Sequence, residues 1–289
     1  MEIYNNLLDY KKITLDIAIR DYHKLTLLDT NTFVSSRVGT LFIDHFTFKE
    51  RLNTRGIKGM NYLEFLSNED YLNRTYIKNL IEYQKNKNVK PEVMMYEIYK
   101  FHCGSVGMIK PITIKRILQI YKPVSVLDPF MGWGSSLVSC CAMNIPHFTG
   151  IEINTNLVTP YNEMTKQLTK IGTITDIHLK FMNSVDVDFS KLNYDFVFTS
   201  PPYYNKEQYW NGSEFIKLTK EKWNELYIKI FTNVYLNTKR GGYLAINCPT
   251  DIYFLLLTIM GNELTKFPLN QKSRYNNTYQ EYIYIWKRF

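Results

Sequence analysis

Beyond Pro123 the chain alternates strand-length apolar runs with stretches of helical spacing, and this alternation limits the possible folds more than any other feature. VSVLDPF leads through MGWG into SSLVSCCAMN, and HFTGIEI leads into LVTPYNEMTKQLTK. IHLKFMN, YDFVFTS and GGYLAIN follow, with TKEKWNELYIKIFTNVYLNT between the last two. Short runs that are apolar throughout suit strands covered on both faces, and the intervening helices supply the crossovers that parallel strands require. The pattern predicts a doubly wound, mostly parallel α/β sheet. The closing run EYIYIWKR follows a turn-rich segment and is expected as an antiparallel edge strand. Upstream, NYLEFLSNEDYLNRTYIKNLIEYQKNKN and PEVMMYEIYKFH carry apolar residues at helical spacing. A mostly helical N-terminal region, residues 1–100, is therefore expected before an α/β domain at 101–289.

Composition narrows the class. Of 289 residues, 45% are apolar and 21% charged, which excludes a disordered or collagen-like chain. The longest apolar run, IYFLLLTIM, is about half of what a membrane span needs. MEIYNNLLDYKK lacks the basic segment and apolar core of a secretory leader. These features predict a soluble, intracellular protein with no membrane partner. Cys103, Cys140, Cys141 and Cys248 show no metal-ligand spacing and read as reduced, buried thiols. A formal net charge of +8 suits a polyanionic partner, although charge alone does not require one.

Chemistry concentrates at the ends of the expected strands. Gly132 and Gly134, in LDPFMGWGSS, would let backbone approach a ligand closely, or would simply make a tight connection. The run is neither G-x-G-x-x-G nor a Walker loop. Glu152, ending the next strand, stands where an acid accepts both hydroxyls of a ribose; a solvated carboxylate is the plainer alternative. Asn183 ends a third strand, where its oxygen could accept from an adenine amino group while the Ser184 N–H donates to the ring; an ordinary Asn turn fits equally well.

After YDFVFT come Ser200, Pro201, Pro202 and Tyr203. Adjacent prolines cannot extend a strand, because each lacks an N–H and fixes φ near −65°. The corner they make presents fixed acceptors beside an aromatic plate. Such a corner suits an exocyclic amino group, a poor nucleophile whose lone pair is delocalised into its ring. Acceptors aimed at both N–H bonds pull that nitrogen toward sp³ geometry and stabilise the positive charge that develops on it.

DPFMGWG and TSPPY resemble the cofactor and catalytic motifs of S-adenosylmethionine-dependent DNA amino-methyltransferases, with their [DNS]-P-P-[YFW] signature. The resemblance covers about residues 101–289. It includes FHCGSVGMIKP, similar to the segment that closes over the methionine end of the cofactor, and QEYIYIWKR, similar to the family's final strand. DPFMGWG with SPPYYNKE looks especially like methyltransferases of large DNA viruses and phages, which would place the protein in the cytoplasm of an infected host cell. The resemblance implies a Rossmann-like methyltransferase sheet with S-adenosyl-L-methionine as cofactor and no metal. It implies that Asp128, Phe130, Gly132 and Gly134 surround the methionine and ribose portions, that Glu152 holds the ribose, and that Asn183 and Ser184 meet the adenine. Many relatives have Asp where Asn183 stands, which implies a weaker adenine contact. Ser200 and the Pro201 carbonyl would accept from the target amine, with Tyr203 stacked on a base flipped out of DNA.

Ser200 in the first signature position tilts the expected target slightly toward N4 of cytosine over N6 of adenine. RNA bases are the runner-up substrate, protein glutamine a more distant one, and a non-catalytic nucleic-acid-binding module the alternative of another class. No recognition domain fits between Asp128 and Ser200. Target contact is therefore expected from the N-terminal region, from the loop YNKEQYWNGSEF or from a partner. Lys49, Arg51, Arg55 and Lys58, in FKERLNTRGIKG, are candidate phosphate contacts, with a solvated basic loop as the plainer reading.

Overall fold

The computed structural model describes residues 2–30, 37–56, 58–85, 89–104, 106–203, 209, 211, 213–216, 218–269 and 281–289. Its strands are β1 (Ser125–Asp128), β2 (His147–Glu152), β3 (Asp176–Phe181), β4 (Phe196–Thr199), β5 (Tyr243–Cys248), β6 (Thr265–Leu269) and β7 (Glu281–Lys287). They form one sheet in the order β3-β2-β1-β4-β5-β7-β6. The first five run parallel, and β7 is antiparallel to both β5 and β6. The final strand thus has the expected direction. The outermost position belongs to β6, whose run TKFPL, exposed and interrupted by Pro268, carries no strand signal in sequence.

The helices are α1 (Glu2–Tyr10), α2 (Leu15–Leu27), α3 (Thr40–Asn53), α4 (Tyr62–Leu66), α5 (Glu69–Leu72), α6 (Thr75–Lys85), α7 (Pro91–Tyr99), α8 (Pro111–Tyr121), α9 (Ser135–Ala142), α10 (Val158–Lys170), α11 (Lys220–Asn237) and α12 (Thr250–Met260). Successive residues of a strand point to opposite faces, and the buried side chains obey this. Val126, Phe196, Phe198, Ala245 and Ile283 join one core with side chains of α8, α9 and α10. Leu127, Val197, Leu244, Ile246 and Tyr284 join the other, with α11 and α12. Both faces of the central strands β1, β4 and β5 are covered, which is why these read as continuous apolar runs, whereas β3 at the edge alternates exposed and half-buried residues.

The N-terminal helices are divided between two environments. Ala18, Tyr22 and Leu25 of α2 and Phe42 and Ile43 of α3 belong to the first sheet core. A third cluster, built from Leu7, Leu52, Tyr62, Phe65, Ile98 and Tyr99, lies apart from the sheet. Asp21 fastens α3 to α2: Gly39 provides no side-chain cap, and the Asp21 carboxylate instead accepts the N–H of Leu41 at 2.8 Å. The buried Lys115 ammonium of α8 donates to the carbonyls of Leu25, Thr26 and Leu28 at 2.6–2.9 Å, closing the C-terminal end of α2. All four cysteines are buried and unbridged. Among the described residues no helix is long and apolar enough to cross a membrane.

Candidate active site

The carboxyl ends of the parallel strands border one cavity of about 1120 Å³, the position at which doubly wound sheets hold ligands. Its lining includes Asp128, Phe130, Gly132, Glu152, Asn183, Ser184, Ser200, Pro201, Pro202 and Tyr203. Of the residues singled out for cofactor or catalysis, only Gly134 stands behind the wall.

The wall begins with the turn after β1. Gly132 and Gly134 have φ of 55° and 98°, where any other side chain would be strained. A Cβ on Gly132 would meet nothing nearer than the Phe130 carbonyl at 3.9 Å, so the backbone there borders open space. A Cβ on Gly134 would press on the Tyr161 hydroxyl at 3.2 Å. That hydroxyl donates to the Gly132 carbonyl at 2.9 Å, and the Met131 N–H donates to Ile151 of β2 at 2.9 Å. Tyr161, one apolar position among several on α10, escaped the sequence reading.

Asp128 is buried and fully engaged. Oδ1 accepts the Phe130 N–H at 3.1 Å and the Thr199 hydroxyl at 2.7 Å, and Oδ2 accepts the Ser136 hydroxyl. It braces β1, α9 and β4 together under the cavity floor. Burial pushes its carboxyl up to about 6 against the pull of those donors. Glu152 accepts the Gly132 N–H on Oε2 and the Asn154 N–H on Oε1, each at 2.8 Å. Burial pushes it up to about 7, and the Asp128 charge adds to the rise. The Ile153 N–H also pulls on this carboxylate, and a ligand donor would use the acceptor capacity that these three N–H groups leave.

Asn183 caps a short turn, Ser184–Asp186, by accepting the Val185 N–H on Oδ1 at 3.1 Å. The turn reading is therefore realised, and a ligand donor would use the second lone pair of Oδ1. The Ser184 hydroxyl donates to the Pro129 carbonyl, tying this turn to the glycine turn. Ser135, the first residue of α9, lines the cavity with a buried hydroxyl that has no partner among the described residues.

At the end of β4 the Pro-Pro corner is held from behind. The Pro202 carbonyl accepts the Tyr227 hydroxyl, whereas no described residue donates to the carbonyl of Pro201. Tyr203 is held at both ends. Its N–H donates to the Tyr209 oxygen at 2.7 Å, and its hydroxyl lies 2.9 Å from Asn247 Oδ1 and 3.0 Å from Glu281 Oε1. Ser200 Oγ lies 3.2 Å from the Tyr203 hydroxyl and 3.3 Å from Asn247 Oδ1. Asn247 of β5 and Glu281 of β7 both line the cavity. Asn247 ends the run GGYLAIN and Glu281 begins EYIYIWKR, runs that read only as strands; the pairing of β4 with β5 and of β5 with β7 brings them to Ser200.

The four candidate phosphate contacts are not brought together at the cavity. Arg55 lines it, with its guanidinium paired to Glu64 and 4.1 Å from the Phe215 ring centroid. Arg51 is turned inward onto Asp44, with 14% of its side chain exposed, and does not offer the outward cation expected of it. Lys49 and Lys58 are exposed and stand away from the cavity wall. Gly56 explains why the basic loop lies here: a Cβ would sit 1.8 Å from the Gly104 carbonyl, so only glycine permits this approach to Lys100–Gly104. Residues 106–109, from the segment expected to close over the cofactor, do line the cavity. In the loop YNKEQYWNGSEF, positions 204–208, 210 and 212 lie outside the described residues. No cluster of His, Cys, Asp or Glu suited to a metal ion occurs among the described residues.

No family model matches this chain, and no curated protein does. Among solved structures, TrmN from Thermus thermophilus is similar with a TM-score of 0.48 at 14% identity, covering 63% of this chain and 50% of that one. The match thus spans half the length of the Thermus protein. A SAM-dependent O-methyltransferase from Thermotoga maritima gives 0.44 at 12% identity, over 66% and 69% of the two chains. An rRNA methylase from Streptococcus thermophilus gives 0.40 at 12% identity, over 63% and 99%.

Proposed function

We propose that this chain transfers a methyl group from S-adenosylmethionine to an exocyclic amino nitrogen of a base in DNA, N4 of cytosine somewhat ahead of N6 of adenine. One observation carries the reading: a single cavity joins the glycine turn and Glu152 to Ser200, Pro201 and Tyr203. The lining suits such a cofactor, since it offers open space beside Gly132, remaining acceptor capacity on Glu152 and, on Ser135, a hydroxyl with no partner among the described residues. Its volume exceeds that of an ordinary small-molecule pocket, in keeping with two ligands side by side. Glu152 would hold the ribose, and Asn183 and Ser184 the adenine. Gly132 would border the sugar and methionine, with Ser135 reaching the polar end. When bound, the cofactor supplies an electrophilic methyl group on a sulfonium.

The residues of the corner then perform the rest. Ser200 Oγ and the Pro201 carbonyl accept the two N–H bonds of the target amine, raising its nucleophilicity and stabilising the charge it acquires. Tyr203, anchored at both ends, keeps its ring fixed as a plate for the base, so orientation is set before reaction. A base inside a duplex cannot enter a cavity bounded this way, and rotation out of the stack is required. The thiol of Cys248 is buried, and burial raises its pKa well above the ordinary range, so it serves as packing and not as a nucleophile.

The test is direct. Purified chain, methyl-labelled cofactor and either duplex DNA, single-stranded DNA or RNA are incubated, and the digested nucleosides are identified by mass spectrometry. Label in N4-methylcytosine or N6-methyladenine is the expected result. Label in RNA alone moves the substrate to the runner-up class. A chain that binds nucleic acid but neither binds nor consumes the cofactor overturns the enzymatic reading.

A further inference from the structure

A serine hydroxyl has one proton to give and two lone pairs, so Ser200 could face a target as donor or as acceptor. An amino group needs the acceptor. We infer that Asn247 and Glu281 decide this polarity, drawing the hydroxyl protons of the cluster away from the cavity and leaving Ser200 with its lone pairs toward the amine. The inference rests on the function proposed above and assigns two positioning residues to it.

The argument is a count of protons. Asn247 Nδ2 donates to the Tyr282 carbonyl at 3.0 Å, which turns Oδ1 toward the hydroxyls of Ser200 and Tyr203 at 3.3 and 2.9 Å. Glu281 Oε1 stands 3.0 Å from the Tyr203 hydroxyl. An amide oxygen and a carboxylate can only accept. Among the described residues, two hydroxyls with one proton each therefore face three acceptor atoms, the third being the Asn247 carbonyl 3.3 Å from the Tyr203 hydroxyl. Tyr203 donates to Glu281, and Ser200 donates to Asn247 Oδ1 or to the Tyr203 oxygen 3.2 Å away. In either arrangement the Ser200 proton points inward. Burial and the facing Glu281 carboxylate hold the Tyr203 phenol well above its ordinary range, so it keeps the proton that it must donate.

An Asp or Asn in place of Ser200 would bring its own acceptor oxygen. The serine depends for its polarity on β5 and β7, and Glu281 acts without touching the amine. Glutamine at 281 would end this enforcement, because its amide can donate to Tyr203 and allow the chain of hydrogen bonds to reverse.

Kinetics and spectroscopy test this separately. Glu281→Gln is expected to lower kcat by about 10- to 100-fold with KM for nucleic acid changed less than about 3-fold. In a Ser200→Asp background the same substitution is expected to cost less than about 3-fold, because the aspartate needs no polarising partner. An equal loss in both backgrounds overturns the inference, since it marks Glu281 as general support. The second measurement needs no turnover. With tyrosines labelled with ¹³C at Cζ, the signal missing in Tyr203→Phe identifies Tyr203. Tyr203 is expected to ionise at lower pH in Glu281→Gln than in the parent chain, and unchanged titration overturns the inference. If the parent chain methylates no nucleic acid yet the titration shifts as expected, the substrate assignment fails and the contact between Glu281 and the Tyr203 hydroxyl stands.

Discussion

At the scale of single residues, the candidate site works by deciding which lone pairs and protons face the cavity. Glu152 offers the clearest consequence. Burial first, then Asp128, raises its carboxyl to about 7, while Asp128 itself stands at about 6. In the folded chain both hold protons at pH values where the unfolded chain has released them, so their contribution to stability falls as pH rises through 7. Hydroxyl donors from a ribose favour the ionised form, so binding them releases a proton from Glu152. Cofactor affinity measured by calorimetry is expected to rise between pH 6 and 7 and to level off above about 7. Glu152→Gln should bind more weakly and lose this dependence; a parent chain whose affinity is flat across that range contradicts the assignment. Ser200→Ala removes one of two acceptors aimed at the amine and is expected to lower kcat by about 10²- to 10³-fold with cofactor affinity unchanged. Single-turnover methyl transfer checks the first part and calorimetry the second.

At the scale of elements, the parts of the site that could be read from sequence are those whose chemistry lies within one short run. Strand, glycine turn and helix are contiguous around Gly132, and strand and proline corner are contiguous at Ser200. Both were legible because local backbone rules constrain them. Tyr161, Asn247 and Glu281 were not. Each reaches the cavity through strand order or helix packing, and the runs that hold them read as strand or helix, which gives the element but not the contact. Strand β6 was hidden for a related reason: its outer position leaves most of its side chains in solvent, so it never acquired an apolar pattern. Sequence shows the charge of Arg51 but not its partner, and Asp44 on the same helix pairs with it. Lys115 illustrates how far such unmarked contacts matter. Its ammonium closes three carbonyls at the end of α2, so Lys115→Met would leave them buried without a donor. A loss of about 2 kcal/mol in urea unfolding is expected, with the slope of the transition unchanged.

At the scale of the whole molecule, the sheet's core reaches across what composition suggests is a boundary near residue 100. The sequence pattern places a helical region at 1–100 and an α/β domain at 101–289, and Ala18, Tyr22, Leu25, Phe42 and Ile43 of the first are buried in the same cluster as Val126, Phe148 and Ile117 of the second. Helices α2 and α3 cover α9 and α10, and Lys115 and Asp21 lock that arrangement with buried hydrogen bonds. Sequence periodicity shows that a helix has an apolar face but not which core receives it, and this is why the division could not be read from pattern alone. The helices of the third cluster have a different status, since their apolar side chains mostly meet one another. Residues 101–289 expressed alone would expose the surfaces that α2 and α3 cover. Burial of the four larger side chains Tyr22, Leu25, Phe42 and Ile43 contributes on the order of 10 kcal/mol, comparable to the whole stability of a typical domain. The fragment is therefore expected to lose cooperative thermal unfolding and to bind a hydrophobic dye, whereas adding back residues 12–53 should restore a sharp transition. A fragment of 101–289 that unfolds cooperatively near the temperature of the full chain would mean that the sheet core closes without α2 and α3, and that their packing serves the cavity instead of the fold.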